Sequence, residues 1–272
     1  MKPPLTYFGG KIRLADRLAA LMPPHGHYVE PFCGSLAVLL GKPRSPHETV
    51  NDLDGDLMTF WRVLRDRPDD LARVCALTPH SRGEFLAAYT SDPPGGDLER
   101  ARRVWVQLTQ GRAGKRSRTG WRHYQDPSGS SGSMPDYLAG YVARMAPAAA
   151  RLAGVSLESR PALDVIADFG RHEGVLLYLD PPYQPDTRSS GAYLHEMTGG
   201  DHTDLLAALP GVRAAVMVSG YAHPTYEAAL DGWDRVEIQT ATGQGGSWEQ
   251  RTEVVWCNRA MARQAELFEV AR

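Results

Sequence analysis

The chain has 272 residues, of which 42% are hydrophobic and 23% charged, proportions typical of an ordinary soluble globular protein. Its formal net charge of -2 argues against a general nucleic-acid binder, and no apolar run is long enough to cross a membrane or to form the core of a signal peptide. We therefore expect a cytoplasmic protein with room for one α/β domain carrying an insertion, or for two small domains.

The first seventy residues alternate predicted helices with predicted strands. Apolar side chains at helical spacing from Ile12 to Leu21 predict a first helix that ends before Pro23. The predicted elements are, in order, a helix over 12–21, a strand at 28–29, a helix over 36–40, a strand at 49–50 and a helix over 54–65 that Pro68 ends. Asp54 is the expected N-cap of the last helix. This order predicts a βαβ opening and therefore a parallel sheet.

Residues 69–160 have helical patterns and no obvious strand. The predicted helices cover 71–77, 84–89, 98–108 and 137–152, and turn-forming tracts at 92–96 and 128–133 interrupt them. After residue 160 strands are predicted at 175–179, 214–218, 235–239 and 253–256, with helices at 203–209 and 225–230. The last two strands flank a glycine-rich loop at 243–246 and are expected to form a hairpin. We therefore predict a mainly parallel α/β catalytic domain from residues 1–69 and 161–272, with 70–160 as a helical inserted domain.

The stretch Asp180-Pro181-Pro182-Tyr183 directly follows the apolar run at 175–179, which is typical of a strand buried on both faces. Because proline has no N–H, this corner offers carbonyl oxygens and the Asp180 carboxylate but almost no donors. A ligand that donates hydrogen bonds, such as an exocyclic amine, suits it, and Tyr183 supplies a flat surface for a heterocycle. The simpler alternative is a core strand that ends in proline and binds nothing.

Three motifs in the first domain indicate a nucleoside-type cofactor site. The segment from Glu30 to Ser35 follows a predicted strand, where ligands bind in an open α/β sheet. Asp52 lies about twenty residues beyond Glu30, the spacing of a carboxylate that holds ribose hydroxyls. The segment from Thr6 to Lys11 is a glycine turn opening the predicted first helix, where free N–H groups can receive an anion beside Lys11.

Together these motifs resemble the Dam-type, alpha-group DNA adenine-N6 methyltransferases. The matching stretches are Tyr7-Phe8-Gly9-Gly10-Lys11, Glu30-Pro31-Phe32-Cys33-Gly34-Ser35, Asn51-Asp52-Leu53-Asp54 and Asp180-Pro181-Pro182-Tyr183. The resemblance continues through Asp201-His202, Val218-Ser219-Gly220 and the terminal strand at 251–256, and omits only residues 70–160. It implies a Rossmann-like sheet of the kind that binds S-adenosylmethionine, mostly parallel with a C-terminal antiparallel hairpin, and an inserted target-recognition domain.

The resemblance also implies roles for individual residues. It places Tyr7, Gly10 and Lys11 at the methionine end of S-adenosylmethionine, Glu30, Phe32, Gly34, Ser35 and Asp180 along the cofactor, and Asp52 on its ribose. It implies that Asp180, Pro181, Pro182 and Tyr183 hold a flipped adenine. One departure is Leu36, which stands where many members have a second glycine. That glycine lets the backbone approach the cofactor closely.

The implied reaction is direct in-line attack of the adenine amine on the methyl group, without a covalent intermediate or a metal. Aspartate at the first motif position favours adenine, because the N4-cytosine enzymes with a similar arrangement usually have serine there. Methylation of cytosine N4, methylation of RNA adenine and a catalytically dead nucleic-acid-binding module stay open as alternatives. A metal hydrolase is disfavoured, since His195, Glu196 and His202 lack the HExxH spacing and the three cysteines lack CxxC spacing. We expect no metal.

A basic segment stands out against the slightly acidic whole. No acidic residue occurs between Arg100 and Gln125, and the arginines and lysines there are interleaved with glycine, Trp121 and Tyr124. This composition suits contacts with phosphates and base edges, although a solvated charged face is the simpler alternative. The predicted DNA-binding residues are Arg112, Lys115, Arg116, Arg118, Trp121 and Arg122. We expect double-stranded DNA as the partner and a monomer or weak dimer, with a cognate restriction or defence system as a further candidate partner.

Overall fold

The computed structural model describes residues 1–90, 95–123, 132–184, 193–244 and 247–262, with the backbone alone at 241–244 and 247–251. Parts of three predicted tracts therefore lie outside the described residues: the turn at 92–96, the glycine-serine tract at 128–133 and the loop at 243–246. Tyr124 of the basic segment also lies outside them.

Within these ranges, helices and strands alternate at both ends of the chain, and helices fill the middle. The helices are α1 (Ala15–Leu21), α2 (Ala37–Gly41), α3 (Gly55–Asp66), α4 (Pro68–Leu77), α5 (Arg82–Ala87), α6 (Gly96–Gln110), α7 (Met134–Val142), α8 (Met145–Leu152), α9 (Ala162–Phe169), α10 (Gly199–Ala208) and α11 (Pro224–Ala229). The strands are β1 (His27–Glu30), β2 (His47–Asn51), β3 (Ser156–Glu158), β4 (Val175–Leu179), β5 (Ala215–Gly220), β6 (Asp234–Gln244) and β7 (Ser247–Cys257).

The strands form one sheet in the order β3-β2-β1-β4-β5-β7-β6. Neighbours from β3 to β5 pair in parallel, whereas β7 pairs antiparallel with both β5 and β6. The strand order reverses between β1 and β4, which is the kind of point where open α/β sheets bind ligands. The predicted fold class, a mostly parallel Rossmann-like sheet that ends in an antiparallel hairpin, is confirmed.

Both faces of the sheet are covered by apolar helices. All five residues of β4 are buried, and their side chains alternate between two cores, as the period of a strand requires. Leu176 and Tyr178 belong to the core under α1, α3 and the middle helices, and Leu177 and Leu179 to the core under α9, α10 and α11. Burial on both faces explains why this strand is a continuous apolar run rather than an alternating one.

The helices of the middle region pack directly on the first domain. Helices α4, α6 and α8 contact α3, and Trp105 of α6 lies in the same core cluster as Trp61 of α3. Residues 69–160, where the sequence shows no obvious strand, do contribute one, because β3 pairs in parallel with β2. The predicted boundary at residue 160 therefore falls after a strand of the main sheet. A three-residue, partly exposed edge strand is too short to show a period in the sequence.

Two helix boundaries differ from the prediction for local reasons. Helix α1 begins at Ala15 rather than Ile12, because the segment from Lys11 to Leu14 forms a turn closed by the Leu14 N–H on the Lys11 carbonyl at 2.9 Å. Pro68 is the first residue of α4, a position that proline favours, so it starts a helix as well as following one. Asp54 is the N-cap of α3 as predicted, and its carboxylate accepts from the N–H groups of Asp56 and Leu57.

A buried ion triad joins the middle helices to β2. The Glu48 carboxylate accepts from Lys42 Nζ at 2.7 Å, and Arg151 of α8 donates to both of its oxygens. The side chains of all three residues are at most 7% exposed. Lys42 and Arg151 hold the pKa of Glu48 at about 2, although burial alone would raise it. One carboxylate therefore compensates two buried cations.

We expect Glu48→Gln to lower the free energy of unfolding by about 3–5 kcal/mol, because two buried cations lose their counter-ion. Urea unfolding at pH 7 measures the change. Glu173→Gln is the matched control, since the Glu173–Arg213 pair is exposed and its loss should leave the unfolding midpoint nearly unchanged. Equal midpoints for Glu48→Gln and Glu173→Gln would contradict the assigned role of the triad.

Candidate active site

A cavity of about 270 Å³ opens where β1, β2 and β4 end. Because parallel strands point the same way, their carboxyl ends meet at one edge of the sheet, and the loops that follow them line a common space. Nine of the residues predicted to border a cofactor line this cavity: Tyr7, Gly10, Lys11, Glu30, Phe32, Gly34, Ser35, Asp52 and Asp180. The structure therefore brings together side chains that are far apart in the sequence.

The turn after β1 is held in left-handed backbone conformations. Gly34 has φ +44°, and a side chain there would meet the Tyr7 ring, since a Cβ atom would lie 2.9 Å from Tyr7 Cε1. Leu36, at the position of the second family glycine, also has a positive φ, +55°, with its side chain fully buried. Leu36 therefore holds its left-handed conformation without being glycine, and the tight packing in this turn is that of Gly34 against Tyr7.

Asp52 lies at the carboxyl end of β2 with its side chain on the cavity. One carboxylate oxygen accepts from the Gly34 N–H and the other from the Asp54 N–H, each at 2.9 Å. Burial raises the pKa of Asp52 to about 6, although these two N–H groups favour the ionised form. Its lone pairs can still accept from hydroxyl groups in the cavity.

Glu30 is the second acidic group at the base of the cavity. It is almost fully buried and accepts from the Tyr28 hydroxyl at 2.9 Å. Burial raises the pKa of Glu30 to about 8, so that the carboxyl group is largely protonated at neutral pH. Unlike Asp52, it can therefore donate a hydrogen bond to a ligand.

Asp180 ends β4 at the opposite wall. Its Oδ1 atom accepts from Lys11 Nζ at 2.6 Å and from the Ser219 hydroxyl at 3.1 Å, and Tyr178 in turn contacts Ser219 at 2.8 Å. Among the described residues, both hydrogen bonds to Asp180 end on Oδ1, which leaves Oδ2 as an acceptor for a ligand. Burial raises the pKa of Asp180, and the Lys11 ammonium opposes that rise.

Tyr183 lies beside the Asp180–Lys11 ion pair, and its ring is stacked on that of Tyr221, which follows β5. The ring centroids are 4.2 Å apart and nearly parallel, at 19°. The Tyr183 hydroxyl accepts from Lys11 Nζ at 2.7 Å and donates to Glu253 at 3.2 Å. Tyr221 and Glu253 thus fix the orientation of a ring whose stacking role was expected from sequence alone.

Lys11 lines the cavity, and its ammonium lies between Asp180 and Glu253. Its role at the methionine end of the cofactor stays a prediction. Burial opposes the charge on Lys11, but the two carboxylates outweigh burial and raise its pKa well above the ordinary value. The glycine turn before it does not open a helix, because α1 begins only at Ala15.

The predicted DNA-binding residues do not share one environment. Arg112 and Arg118 are exposed, and Trp121 stacks between His80 and His123 with ring centroids 4.4 and 5.2 Å away. Two other cations lie over aromatic rings: Lys115 over Phe8 at 5.1 Å and Arg122 over Tyr137 at the same distance. Arg112, Lys115, Arg118, Trp121 and Arg122 are each at least partly exposed.

Arg116 is a correction to the predicted DNA-binding set. Its side chain is 5% exposed, and its guanidinium donates to Asp54 at 2.7 Å, to Asp56 at 3.2 Å and to Gln107. It therefore clamps the basic segment onto the N-terminus of α3, next to Asp52. A run of arginines in a sequence does not reveal which member finds a buried carboxylate partner.

Sequence reasoning missed several groups at the cavity. The half-exposed apolar side chains of Leu53, Leu163 and Leu194 line it, and each is at least 40% exposed. Leu53 directly follows Asp52, which was the one available signal. Glu253 belongs to the terminal strand at 251–256, which the resemblance includes. The sequence suggests no role for it, because only the pairing of the strands brings it beside Lys11.

The described residues contain neither a membrane-spanning helix nor a metal-binding cluster. No helix in those ranges combines the length and apolar character needed to span a bilayer. Among the same residues, no three or more His, Cys, Asp or Glu side chains are arranged to hold a metal ion.

The family model of the D12 class N6 adenine-specific DNA methyltransferases matches residues 7–103. The resemblance inferred from the motifs is thereby confirmed over this part of the chain, which contains the turn at Tyr7, the segment after β1 and Asp52. The match supports methyl transfer and implies S-adenosylmethionine as the methyl donor.

Solved structures of methyltransferases are similar to the chain at low identity. The C-terminal domain of precorrin-6Y C5,15-methyltransferase from Rhodobacter capsulatus is 8% identical with a TM-score of 0.40, over 96% of this chain and 98% of that one. The rRNA methyltransferase aviRa from Streptomyces viridochromogenes is 13% identical with a TM-score of 0.38, over 92% and 84%. No curated protein sequence matches the chain. At these TM-scores, the similarities assign no role to any residue.

We expect Arg116→Met to lower the free energy of unfolding by about 3–5 kcal/mol, because Asp54 would stay buried without its guanidinium partner. Arg112→Met, at an exposed position of the same segment, is the matched control and should leave stability unchanged. Thermal and urea unfolding of both variants measure the difference. If Arg116→Met kept the stability of the wild type, Arg116 would return to the set of surface residues available to DNA.

Proposed function

We propose that this protein is a site-specific DNA adenine-N6 methyltransferase that uses S-adenosylmethionine. The observation that carries the proposal is that Asp180 and Pro182 open onto the same cavity as Tyr7, Glu30 and Asp52. An acceptor corner suited to an amine therefore adjoins a site suited to a nucleoside. The family match at residues 7–103 supports the same chemistry.

The side chains of the cavity fit S-adenosylmethionine. Asp52 offers carboxylate oxygens to the two ribose hydroxyls, and the exposed apolar surfaces of Leu53 and Leu163 suit an adenine ring. Glu30 lies deeper, near Asp180, where the methionine portion is expected. The bound cofactor supplies a methyl group on a positively charged sulfur.

The acceptor corner then activates the target amine. Asp180 Oδ2 and the carbonyl of Pro181 or Pro182 accept the two amine hydrogens, which turns the nitrogen lone pair toward the methyl group. Bound S-adenosylmethionine would supply the methyl group for the new N–C bond, and its sulfur would keep the electron pair of the broken C–S bond. The carboxylate stabilises the positive charge that grows on nitrogen, and the released proton passes to Asp180 and then to solvent.

An adenine amine inside a duplex cannot reach this corner, so the base has to be flipped out of the stack. Tyr183 is the proposed stacking surface, held from behind by Tyr221. The basic and aromatic side chains of Arg112, Arg118 and Trp121 are the proposed contacts with duplex DNA. Cytosine N4 and RNA adenine are alternative acceptors for the same chemistry, and the methylated product distinguishes them.

The test of the proposed function is to incubate the protein with methyl-labelled S-adenosylmethionine and, in separate reactions, bacterial DNA or bacterial RNA, and to identify the labelled nucleoside. We expect N6-methyladenine at one sequence context. Asp180→Asn should reduce turnover by about 10²–10³, because the uncharged amide stabilises the developing positive charge poorly, while cofactor affinity stays near normal. Asp231→Asn, at an exposed loop position, is the matched control. Label in N4-methylcytosine or only in RNA would reject the proposed acceptor.

Cofactor affinity should fall as the pH decreases through about 6, the pKa of Asp52. Below that pH the carboxyl group is protonated and loses acceptor strength toward the ribose hydroxyls, whereas above it the carboxylate is fully available. Calorimetric titration of S-adenosylmethionine from pH 5 to 8 measures this dependence. Asp52→Asn should bind about tenfold more weakly at pH 8, with a flatter pH dependence. A pH dependence that persists in Asp52→Asn would assign it to another group.

A further inference from the structure

Glu253 is a buried carboxylate in the active site that the proposed reaction does not use. Its side chain is 3% exposed, lies 3.2 Å from Lys11 Nζ and accepts from the Tyr183 hydroxyl. In the hairpin, Glu253 pairs with Ile238 of β6. Its neighbour Val254 forms the last pair between β7 and β5, with Gly220. The antiparallel strand β7 thus brings Glu253 to the edge of the sheet where β4 ends at Asp180.

The arrangement of Lys11 creates a difficulty for catalysis. Its ammonium lies 2.6 Å from Asp180 Oδ1, closer than it lies to Glu253. A target amine on Asp180 Oδ2 would share the carboxylate with this ammonium, which lies on Oδ1. An ammonium retained there would also offset the negative charge that stabilises the developing positive charge on the target nitrogen.

We propose that Glu253 is a positioning residue that draws the Lys11 ammonium away from Asp180 when the target amine binds Asp180 Oδ2. The proposal rests on the proposed function. Lys11 already contacts Asp180, Glu253 and the Tyr183 hydroxyl, so the shift from one carboxylate to the other keeps the hydroxyl contact and needs no backbone movement.

Because Lys11 is buried, its ammonium needs Glu253 as a counter-ion when it leaves Asp180. The Lys11 side chain is 4% exposed, and a buried ammonium without a counter-ion is strongly disfavoured. Without the charge of Glu253, Lys11 therefore stays on Asp180, and the amine meets a neutralised carboxylate. The same reasoning predicts that Glu253 matters only while Lys11 is present.

A double-mutant cycle on turnover tests this dependence. We measure methyl transfer to DNA, cofactor affinity and melting temperature for wild type, Glu253→Gln, Lys11→Met and the double variant Lys11→Met/Glu253→Gln. Glu253→Gln should lower kcat by about tenfold or more while cofactor affinity changes by less than about threefold. The double variant should have a kcat within about threefold of Lys11→Met alone. Glu237→Gln, on the exposed face of the neighbouring β6, is the matched control and should behave as wild type.

Independent effects in the two single variants, which multiply in the double variant, would overturn the proposal, because a purely structural Glu253 acts whether or not Lys11 is present. If Glu253→Gln fails to fold, the comparison of Lys11→Met with the double variant decides, since neither retains the buried ammonium. A wild-type protein that methylates no DNA would reject the proposed function itself, and this proposal with it. Additive effects in an active enzyme would reject only the role of Glu253.

Discussion

The ammonium of Lys11, buried among two carboxylates and a phenol, is the interaction on which the arrangement of the site depends. It joins three parts of the chain: the segment before α1, the corner after β4 and the strand β7. Because a buried charge needs its counter-ions, the positions of Asp180, Glu253 and Tyr183 are fixed together. A substitution at any one of them changes the electrostatic environment of the others.

The topology of the sheet explains why this cluster forms where it does. The parallel strands β1, β2 and β4 all end at one edge of the sheet. The predicted cofactor residues and Asp180 therefore lie close together, although no sequence pattern links them. The antiparallel strand β7 runs the other way and contributes Glu253 from its interior, next to the last residue paired with β5. A second ion pair, Arg116 with Asp54, attaches the basic segment to the same edge. Cofactor residues and the proposed DNA surface are thus connected through the N-terminus of α3.

The sequence predicted features that depend on local chemistry. The buried strand β4, the N-cap at Asp54 and the closing hairpin follow from apolar periodicity and short-range hydrogen bonding, and the structure contains all three. Glu30, Asp52 and Asp180, which line the cavity, were identifiable because their motifs lie at or just after strand ends. Their roles in binding and catalysis stay predictions.

Features that depend on tertiary partners could not be read from the sequence. Arg116 looks like its neighbouring arginines until the fold places Asp54 against it, and Lys11 contacts a second carboxylate only because β7 supplies Glu253. Strand β3 is too short and too exposed to show a period. Leu36 adopts a left-handed conformation that leucine disfavours, because burial of its side chain helps to offset the backbone cost.

The position of the target amine in a complex tests the account most directly. A crystal structure of the protein with S-adenosylhomocysteine and a duplex that contains the methylation site would give the distance from adenine N6 to Asp180 Oδ2. We expect a hydrogen bond of about 3 Å, with the base stacked on Tyr183 and the Lys11 ammonium closer to Glu253 than to Asp180. A target amine bound away from Asp180 would contradict the assignment of the acceptor corner.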